Sequence, residues 1–363
     1  MIPEIYYELG ARLNRFSQKM PLVDDYLLIL QEIFTPEEAS LAIRLPAQPA
    51  ALSELSGRTG MPEQVLGAIL ERMARKGTVF SLERDGRTEY SAIPFVPGIA
   101  EFQLMRGEGS DREKKFAALF EEFEKKMSAL LTPEMMGQLE GMTGSPFARV
   151  IPVEEEVCSI SQIFPYEKVC QLIEQEDCFA VAKCYCRHHA DLMGRPCKVK
   201  GVPEVGCMSF GDVARFVVKR GFGREASREE ARQILDGCEK AGLVHCTNNV
   251  SNLMTFICNC CGCCCGILRM VVKYNHPRAL AQSNFFVQAR PEDCSGCGDC
   301  VERCQVQALA LEDLTVRVDS SRCIGCGVCS TGCPTGALQL VRKDVMIEPV
   351  RASDPFVGIL EGA

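Results

Sequence analysis

Residues 294–304 read CSGCGDCVERC, and residues 323–333 read CIGCGVCSTGC. Both stretches space four cysteines as C-x2-C-x2-C-x3-C, and Pro334 follows the second stretch. Three thiolates within seven residues can wrap one loop around a single metal cluster, whereas the fourth is carried off on the next helical turn. Because the spacing occurs twice, the pattern predicts two similar centres in one small domain.

Zinc knuckles and a disulfide framework are the alternatives for these eight cysteines. Zinc sites lack this duplicated spacing of three ligands plus one. Disulfides do not account for two identical repeats. The pattern therefore predicts two [4Fe–4S] clusters.

Residues 285–345 resemble a two-cluster bacterial-type ferredoxin, in which this cysteine spacing holds cubane clusters. The family usually has proline after the fourth cysteine, but this chain has Gln305. The resemblance implies short strands at 285–287, 306–311, 316–318 and 337–341. It also implies one cluster on Cys294, Cys297, Cys300 and Cys333, and a second on Cys304, Cys323, Cys326 and Cys329.

Cysteine content is the other unusual property of the chain. Of 23 cysteines in 363 residues, 15 precede the duplicated motif. We see no signal peptide and no apolar stretch long enough to span a membrane. A cysteine-rich chain of this kind is typical of metal binding in a reducing cytoplasm, so we expect a cytoplasmic protein of an anaerobe.

Residues 1–105 have the pattern of a small helical domain with a hairpin. Apolar residues recur with helical spacing over 24–45, and 51–59 and 62–76 read as two further helices. Segments 78–82 and 88–92 flank an Asp-Gly turn. The order resembles a winged helix.

Winged helices often bind DNA, but the charge of this segment argues against it. Residues 1–100 contain 10 Lys and Arg against 13 Asp and Glu. DNA binding draws most of its affinity from a basic face. We therefore expect residues 1–105 to dock a protein partner or a second copy of the chain, with nucleic acid as the less favoured partner.

A charged amphipathic helix is predicted at 110–131, within a helical linker that covers 106–150. Residues 151–280 form a cysteine-rich domain, predicted to be mostly helical, with helices at 165–175 and 227–241. The fold class is multidomain α+β. The ferredoxin-like domain spans 281–348, and 349–363 form a tail.

The first cysteine motif of the central domain spans residues 184–207. Cys184, Cys186, Cys197 and Cys207 are spaced C-x-C-x10-C-x9-C. Such a set suits an iron–sulfur cluster, whose charge Arg187 and Arg195 would offset as cofactor-binding residues. A zinc site with four thiolates and buried free thiols are the alternatives.

The second motif of the central domain places six cysteines within eight residues. Adjacent side chains point apart, so disulfides do not explain this crowding. A single cube needs at most four ligands. The surplus would complete the first cluster, line a second cube or hold a larger cluster. These residues are Cys258, Cys260, Cys261, Cys263, Cys264 and Cys265.

Both central motifs, followed by a two-cluster ferredoxin domain, resemble a group of iron–sulfur proteins from anaerobic bacteria and archaea. The resemblance implies one or two further clusters and redox work, without a substrate. Five cysteines fall outside the motifs and are expected to be non-ligands: Cys158, Cys170, Cys178, Cys238 and Cys246.

The sequence therefore predicts an electron-transfer protein. No dinucleotide-binding or P-loop motif is present, so a protein redox partner should exchange the electrons. One alternative is a reductase with substrate at a central cluster, where Arg187, His188, His189 or Arg195 would supply protons or anion contacts. Another is a redox-responsive winged-helix regulator. Catalytic residues are not identified.

Overall fold

The computed structural model describes residues 1–16, 19–130, 146, 148–153, 167–274 and 279–349. Helices and antiparallel sheets are mixed throughout this part of the chain, which confirms the predicted α+β class. None of the described helices is long and apolar enough to cross a membrane. The predicted tail, except for its first residue, lies outside the described residues.

The N-terminal unit begins with five helices. The helical run predicted over 24–45 is in fact two helices, because a new helix starts after Thr35. The Thr35 hydroxyl accepts the Glu38 N–H at 3.2 Å. Pro36 takes the first helical position, where its missing N–H costs little. The helices are α1 (Glu4–Leu13), α2 (Asp24–Ile33), α3 (Pro36–Arg44), α4 (Leu52–Thr59) and α5 (Glu63–Lys76).

A three-stranded sheet completes this unit. Its strands are β1 (Ala50–Ala51), β2 (Phe80–Arg84) and β3 (Arg87–Ser91), in the order β1-β3-β2. Asp85 and Gly86 join β2 to β3 with φ angles of 51° and 73°. Two positive φ angles are what a tight hairpin turn between twisted strands requires, so the expected Asp-Gly hairpin is present.

Two helices lead from this unit to the central one. They are α6 (Ala100–Phe102) and α7 (Asp111–Leu130). Lys126 on α7 forms an ion pair of 2.7 Å with Asp25 on α2. Helix α7, the described helix of the predicted linker, therefore contacts the N-terminal unit, and residues 131–145 and 147 lie outside the described residues.

The central unit is built on a six-stranded antiparallel sheet, so the prediction of a mostly helical domain was wrong about its architecture. The sheet order is β4-β8-β9-β6-β5-β7. Strand β4 contains residues that the sequence assigned to the linker. The strands are β4 (Ala148–Ile151), β5 (Phe179–Lys183), β6 (Val205–Phe210), β7 (Arg224–Glu225), β8 (Val244–Asn248) and β9 (Phe256–Cys260).

Within residues 167–274, five α-helices accompany this sheet. The helix expected at 165–175 is shorter, and that expected at 227–241 starts after Ser227, whose hydroxyl accepts the Glu230 N–H at 3.1 Å. The helices are α8 (Val169–Glu174), α9 (Tyr185–Leu192), α10 (Gly211–Lys219), α11 (Arg228–Lys240) and α12 (Gly266–Tyr274).

The C-terminal unit has two small antiparallel sheets, β10-β13 and β11-β12, with two short helices between them. This is the arrangement of strands that the ferredoxin resemblance implied. The elements are β10 (Phe285–Ala289), α13 (Asp299–Arg303), β11 (Leu309–Glu312), β12 (Thr315–Val318), α14 (Val328–Thr331) and β13 (Leu338–Arg342).

The N-terminal unit shares its apolar core with the central one. The ring centroids of Phe80 and Phe216 are 4.9 Å apart, and those of Phe102 and Phe222 are 4.8 Å apart. Aromatic pairs of this kind add to the free energy gained from burial. The two units therefore meet through a packed core.

Candidate metal centres

The C-terminal unit brings its eight motif cysteines into two groups. A small cavity in it is lined by Cys294, Cys297, Cys300 and Cys333. Cys326 and Cys329 lie close enough to Cys304 and Cys323 that these neighbours' charges raise their pKa values, after burial as the main cause. The fourth cysteine of each motif thus lies with the first three of the other, as the ferredoxin resemblance implied.

The two groups differ in their access to solvent. Cys297 of the first group is exposed, whereas Cys323 and Cys329 of the second are buried. Burial raises the pKa of Cys326 to about 12. A protein partner can therefore approach the first group more closely than the second.

A row of three cysteines crosses the central sheet. Cys207 on β6 lies opposite Cys258 on β9, and Cys258 lies opposite Cys246 on β8. Residues directly opposite one another in an antiparallel sheet project from the same face. Cys260 lies two residues after Cys258 on the same strand and therefore points the same way.

Three further cysteines join Cys207, Cys258 and Cys260 in a ring. Cys184 and Cys186 lie at the start of α9, and Cys265 directly precedes α12. Six sulfurs interact with their neighbours around the ring, and we call them the thiol ring: Cys184, Cys186, Cys207, Cys258, Cys260 and Cys265.

Hydrogen bonds within the thiol ring shift the pKa values of several of its sulfurs. Bonds to Cys186 and Cys207 lower the pKa of Cys184. The same pairings raise the pKa of Cys186 and of Cys207. Thiolate is therefore favoured at Cys184, an environment that fits a positively charged metal cluster core.

Cys246 adjoins the thiol ring, although the sequence placed it among the non-ligands. A hydrogen bond with Cys260 is the largest influence on the pKa of Cys246 and lowers it. The other influences, among them the charge of Cys326, outweigh it and raise the pKa. The signal in the sequence was weak, because Cys246 stands alone and only strand register brings it opposite Cys258.

Cys197 does not join the thiol ring. It lies instead with Cys261, Cys263 and Cys264, and the four sulfurs are all within 4.8 Å of one another. We call these four residues the tetrathiol site. The expected grouping of Cys197 with Cys184, Cys186 and Cys207 is therefore divided between two sites, because the chain from 193 to 204 runs away from the sheet between α9 and β6.

Arg187 lies between the thiol ring and the tetrathiol site. Its guanidinium is buried and donates to the Asn259 carbonyl oxygen at 3.1 Å. Burial alone would lower the pKa of Arg187, but negative charge on Cys184, Cys207 and Cys261 raises it. This position agrees with the expected role of offsetting thiolate charge.

The other polar candidates point elsewhere. His188 Nε2 lies 3.2 Å from Glu113 Oε2, and His189 Nε2 lies 3.1 Å from the Ala117 carbonyl oxygen. Arg195 forms an ion pair with Glu121. All three therefore hold α7 against the central unit. His245 is also structural, since its Nδ1 lies 2.6 Å from Asn259 Oδ1.

A cavity of about 130 Å³ separates the thiol ring from the N-terminal unit. Its walls include the ring sulfurs and the apolar side chains of Phe80 and Ile93. Glu101 also lines it, and burial raises the pKa of this carboxyl group. The cavity is thus largely apolar, with one carboxyl group among its lining residues.

The C-terminal unit contacts the central sheet beside Cys246. The Val153 N–H donates to the Cys326 carbonyl oxygen at 2.9 Å. The Val150 N–H donates to the Ala281 carbonyl oxygen at 2.9 Å. Val153 follows β4, which pairs with β8, so the second cysteine group is held next to the thiol ring.

Comparison with known proteins identifies the C-terminal unit. Residues 278–337 match the 4Fe-4S dicluster domain family. The predicted ferredoxin-type domain is thereby confirmed, and we call this unit the dicluster domain. The chain matches no curated protein and no solved structure. The dicluster domain and the many cysteines support an iron–sulfur role in electron transfer.

Proposed function

We propose that the chain carries electrons between a protein partner and a metal centre in the thiol ring, through the two clusters of the dicluster domain. Clusters held by the eight motif cysteines would supply one-electron transfer. The exposed group with Cys297 is the entry for the partner, and the buried group with Cys326 is the intermediate stage.

One observation carries this proposal: Cys246 and the ring residues Cys260 and Cys265 share one packed core with the inner-group cysteines Cys323 and Cys329. Val153, in the same core, donates its N–H to the Cys326 carbonyl oxygen at 2.9 Å. Electron transfer depends on short distances between centres, and this arrangement leaves little protein between them.

The chemistry of the thiol ring supports a metal centre larger than one cube. Six sulfurs exceed the four that a cube requires, and Cys246 is available as a seventh. We propose iron–sulfur ligation by this ring, in a cytoplasmic and oxygen-poor setting. Arg187 holds its positive charge against the ring and would stabilise the reduced form.

The test compares two variants of the full chain, Cys326→Ala and Cys294→Ala. After dithionite reduction, electron paramagnetic resonance should show spin–spin interaction between the inner cluster and the ring centre. Cys326→Ala should abolish this interaction and leave the ring signal itself. Cys294→Ala, which affects the outer group, should preserve it. Spin–spin interaction that persists in Cys326→Ala would contradict the relay.

We propose that the N-terminal unit is a winged helix that acts as a structural partner of the central unit. Arg220 supports this role, because its buried guanidinium donates to Ser81 Oγ at 2.7 Å and to Glu71 Oε1 at 2.5 Å. The α5 side of the N-terminal unit is therefore occupied by contacts with the central unit of the same chain.

A second candidate function is reduction of a small substrate in the cavity between the units. Glu101 favours it, since burial raises the pKa of this carboxyl group, and a raised pKa suits a group that donates a proton. Tyr185 lies within hydrogen-bonding reach of Glu101 and has a pKa raised by burial. Reduced protein with Glu101→Gln would transfer electrons to an acceptor at an unchanged rate if the chain is only a relay, and at a lower rate if the cavity is a reaction site.

A further inference from the structure

The tetrathiol site has a geometry distinct from that of the other cysteine groups. Cys197 Sγ lies 3.6 Å from Cys261 Sγ and 3.7 Å from Cys263 Sγ. Cys263 Sγ lies 3.7 Å from Cys264 Sγ. All four sulfurs lie within 4.8 Å of one another.

These sulfur–sulfur distances distinguish a site for a single metal ion from a site for an iron–sulfur cluster. A tetrahedral zinc ion with zinc–sulfur bonds of about 2.3 Å places its ligand sulfurs about 3.8 Å apart. In a cube each ligand binds a different iron atom, so the sulfurs must stand farther apart than this. We propose that Cys197, Cys261, Cys263 and Cys264 bind one zinc ion, separate from the iron–sulfur centres.

The surroundings of the site also suit a metal-bound thiolate. The Lys198 backbone N–H donates to Cys263 Sγ at 3.5 Å. Such N–H groups orient and stabilise ligating sulfurs. The charge of Arg187 acts on Cys261 from the side of the thiol ring. Four protein ligands leave no open position, so the zinc ion is structural, not catalytic.

The ion has a definite place in the architecture. Gly262 lies between two ligands, and its N–H donates to Gln305 Oε1 at 2.9 Å. A side chain at position 262 would collide with the Gln305 carbonyl oxygen. Zinc therefore fixes the loop around Gly262. The dicluster domain contacts this loop through Gln305, the residue directly after Cys304. This role does not depend on the proposed relay.

The test measures zinc in the full chain purified without oxygen. Elemental analysis should give about one zinc per chain, and zinc X-ray absorption should give four sulfur neighbours at about 2.3 Å. Wild-type protein without zinc, or with iron in its place, would overturn the proposal.

Three variants locate the ion. Cys197→Ala should lose the zinc and keep the iron. Cys197→His should retain it, since three thiolates and one imidazole also form a zinc site. Cys238→Ala is the matched control, because Cys238 is fully buried in the same small core but lies outside the site. Loss of about four irons from Cys197→Ala, with zinc unchanged, would assign Cys197 to a cube and refute the proposal.

Discussion

The backbone N–H of Gly262 donates a hydrogen bond of 2.9 Å to the side-chain Oε1 of Gln305. Gln305 follows Cys304 at the position where two-cluster ferredoxins usually have proline. A proline has no side-chain acceptor, so it could not make this contact. The departure from the family pattern is therefore explained by contact between the dicluster domain and the central loop.

Replacing Gln305 by proline should weaken this contact. We expect the free energy of unfolding to fall by about 1 kcal/mol, because this hydrogen bond is missing. The reduction potential of the inner cluster should shift, and that of the outer cluster should not. Redox titration followed by electron paramagnetic resonance measures both, and Gln305→Glu, which keeps an oxygen acceptor, is the control. Equal shifts of both potentials in Gln305→Pro would argue against a local role.

A buried ion pair joins the dicluster domain to the central unit. Arg342 Nη2 lies 2.8 Å from Glu167 Oε2, and both side chains are largely buried. Breaking such a pair leaves one uncompensated charge and costs about 3–5 kcal/mol. Arg342→Ala should lower the free energy of unfolding by that amount in anaerobic denaturant titrations.

An exposed pair provides the matched control for Arg342. Arg317 lies 3.4 Å from Glu312, with both side chains more than half exposed. Exposed pairs contribute at most about 1 kcal/mol, so Arg317→Ala should change stability little. Similar losses in both variants would mean that the Glu167 pair does not secure the domain.

The basic residues of α5 are already paired with acidic ones. Arg72 and Lys76 both contact Glu38, at 3.0 Å and 2.6 Å. Because DNA affinity comes largely from cations that neutralise phosphates, we expect no binding of double-stranded DNA at physiological salt. Fluorescence anisotropy with a labelled duplex measures this in oxidised and reduced protein. Binding that weakens steeply with salt would instead favour the redox-responsive regulator.

Glu176 should make stability depend on pH. Burial, and then the charge of Asp177, raises its pKa to about 7. The unfolded carboxyl group titrates near pH 4.3, so between about 4.3 and 7 the folded state holds a proton that the unfolded state lacks. Stability therefore falls as the pH rises through this window.

The variant Glu176→Gln removes this titration. It should unfold at a higher denaturant concentration than wild type at pH 8, and the difference should disappear near pH 4. Glu292→Gln, at an exposed position, should follow the wild-type profile. If the stability of Glu176→Gln changed with pH in parallel with that of wild type, this carboxyl group would not titrate as proposed.

Local spacing predicted the dicluster domain well, because its ligands lie within short loops that need little tertiary information. The central sites could not be assigned in the same way. Cys197 stands midway between Cys186 and Cys207 in sequence, yet packing brings it to Cys261. Cys246 carries no motif, and strand pairing alone places it opposite Cys258.

The central sheet was missed for a related reason. Strand β9 (Phe256–Cys260) leads directly into the cysteine-rich loop. Its cysteines indicate metal ligands more clearly than its sequence indicates a strand. Strand β8 is buried along its whole length, so it lacks the alternation of polar and apolar residues that marks a strand with one face in solvent. Helices with caps, such as the one after Ser227, were recognised because their signals are local.

The most direct test of the account is the iron, acid-labile sulfide and zinc content of the full chain purified without oxygen. Two cubes account for about eight irons. The relay predicts at least about twelve irons, with a paramagnetic signal beyond those of two interacting cubes. A content of about eight irons, with no further signal after reduction, would confine the redox centres to the dicluster domain and contradict a metal centre in the thiol ring.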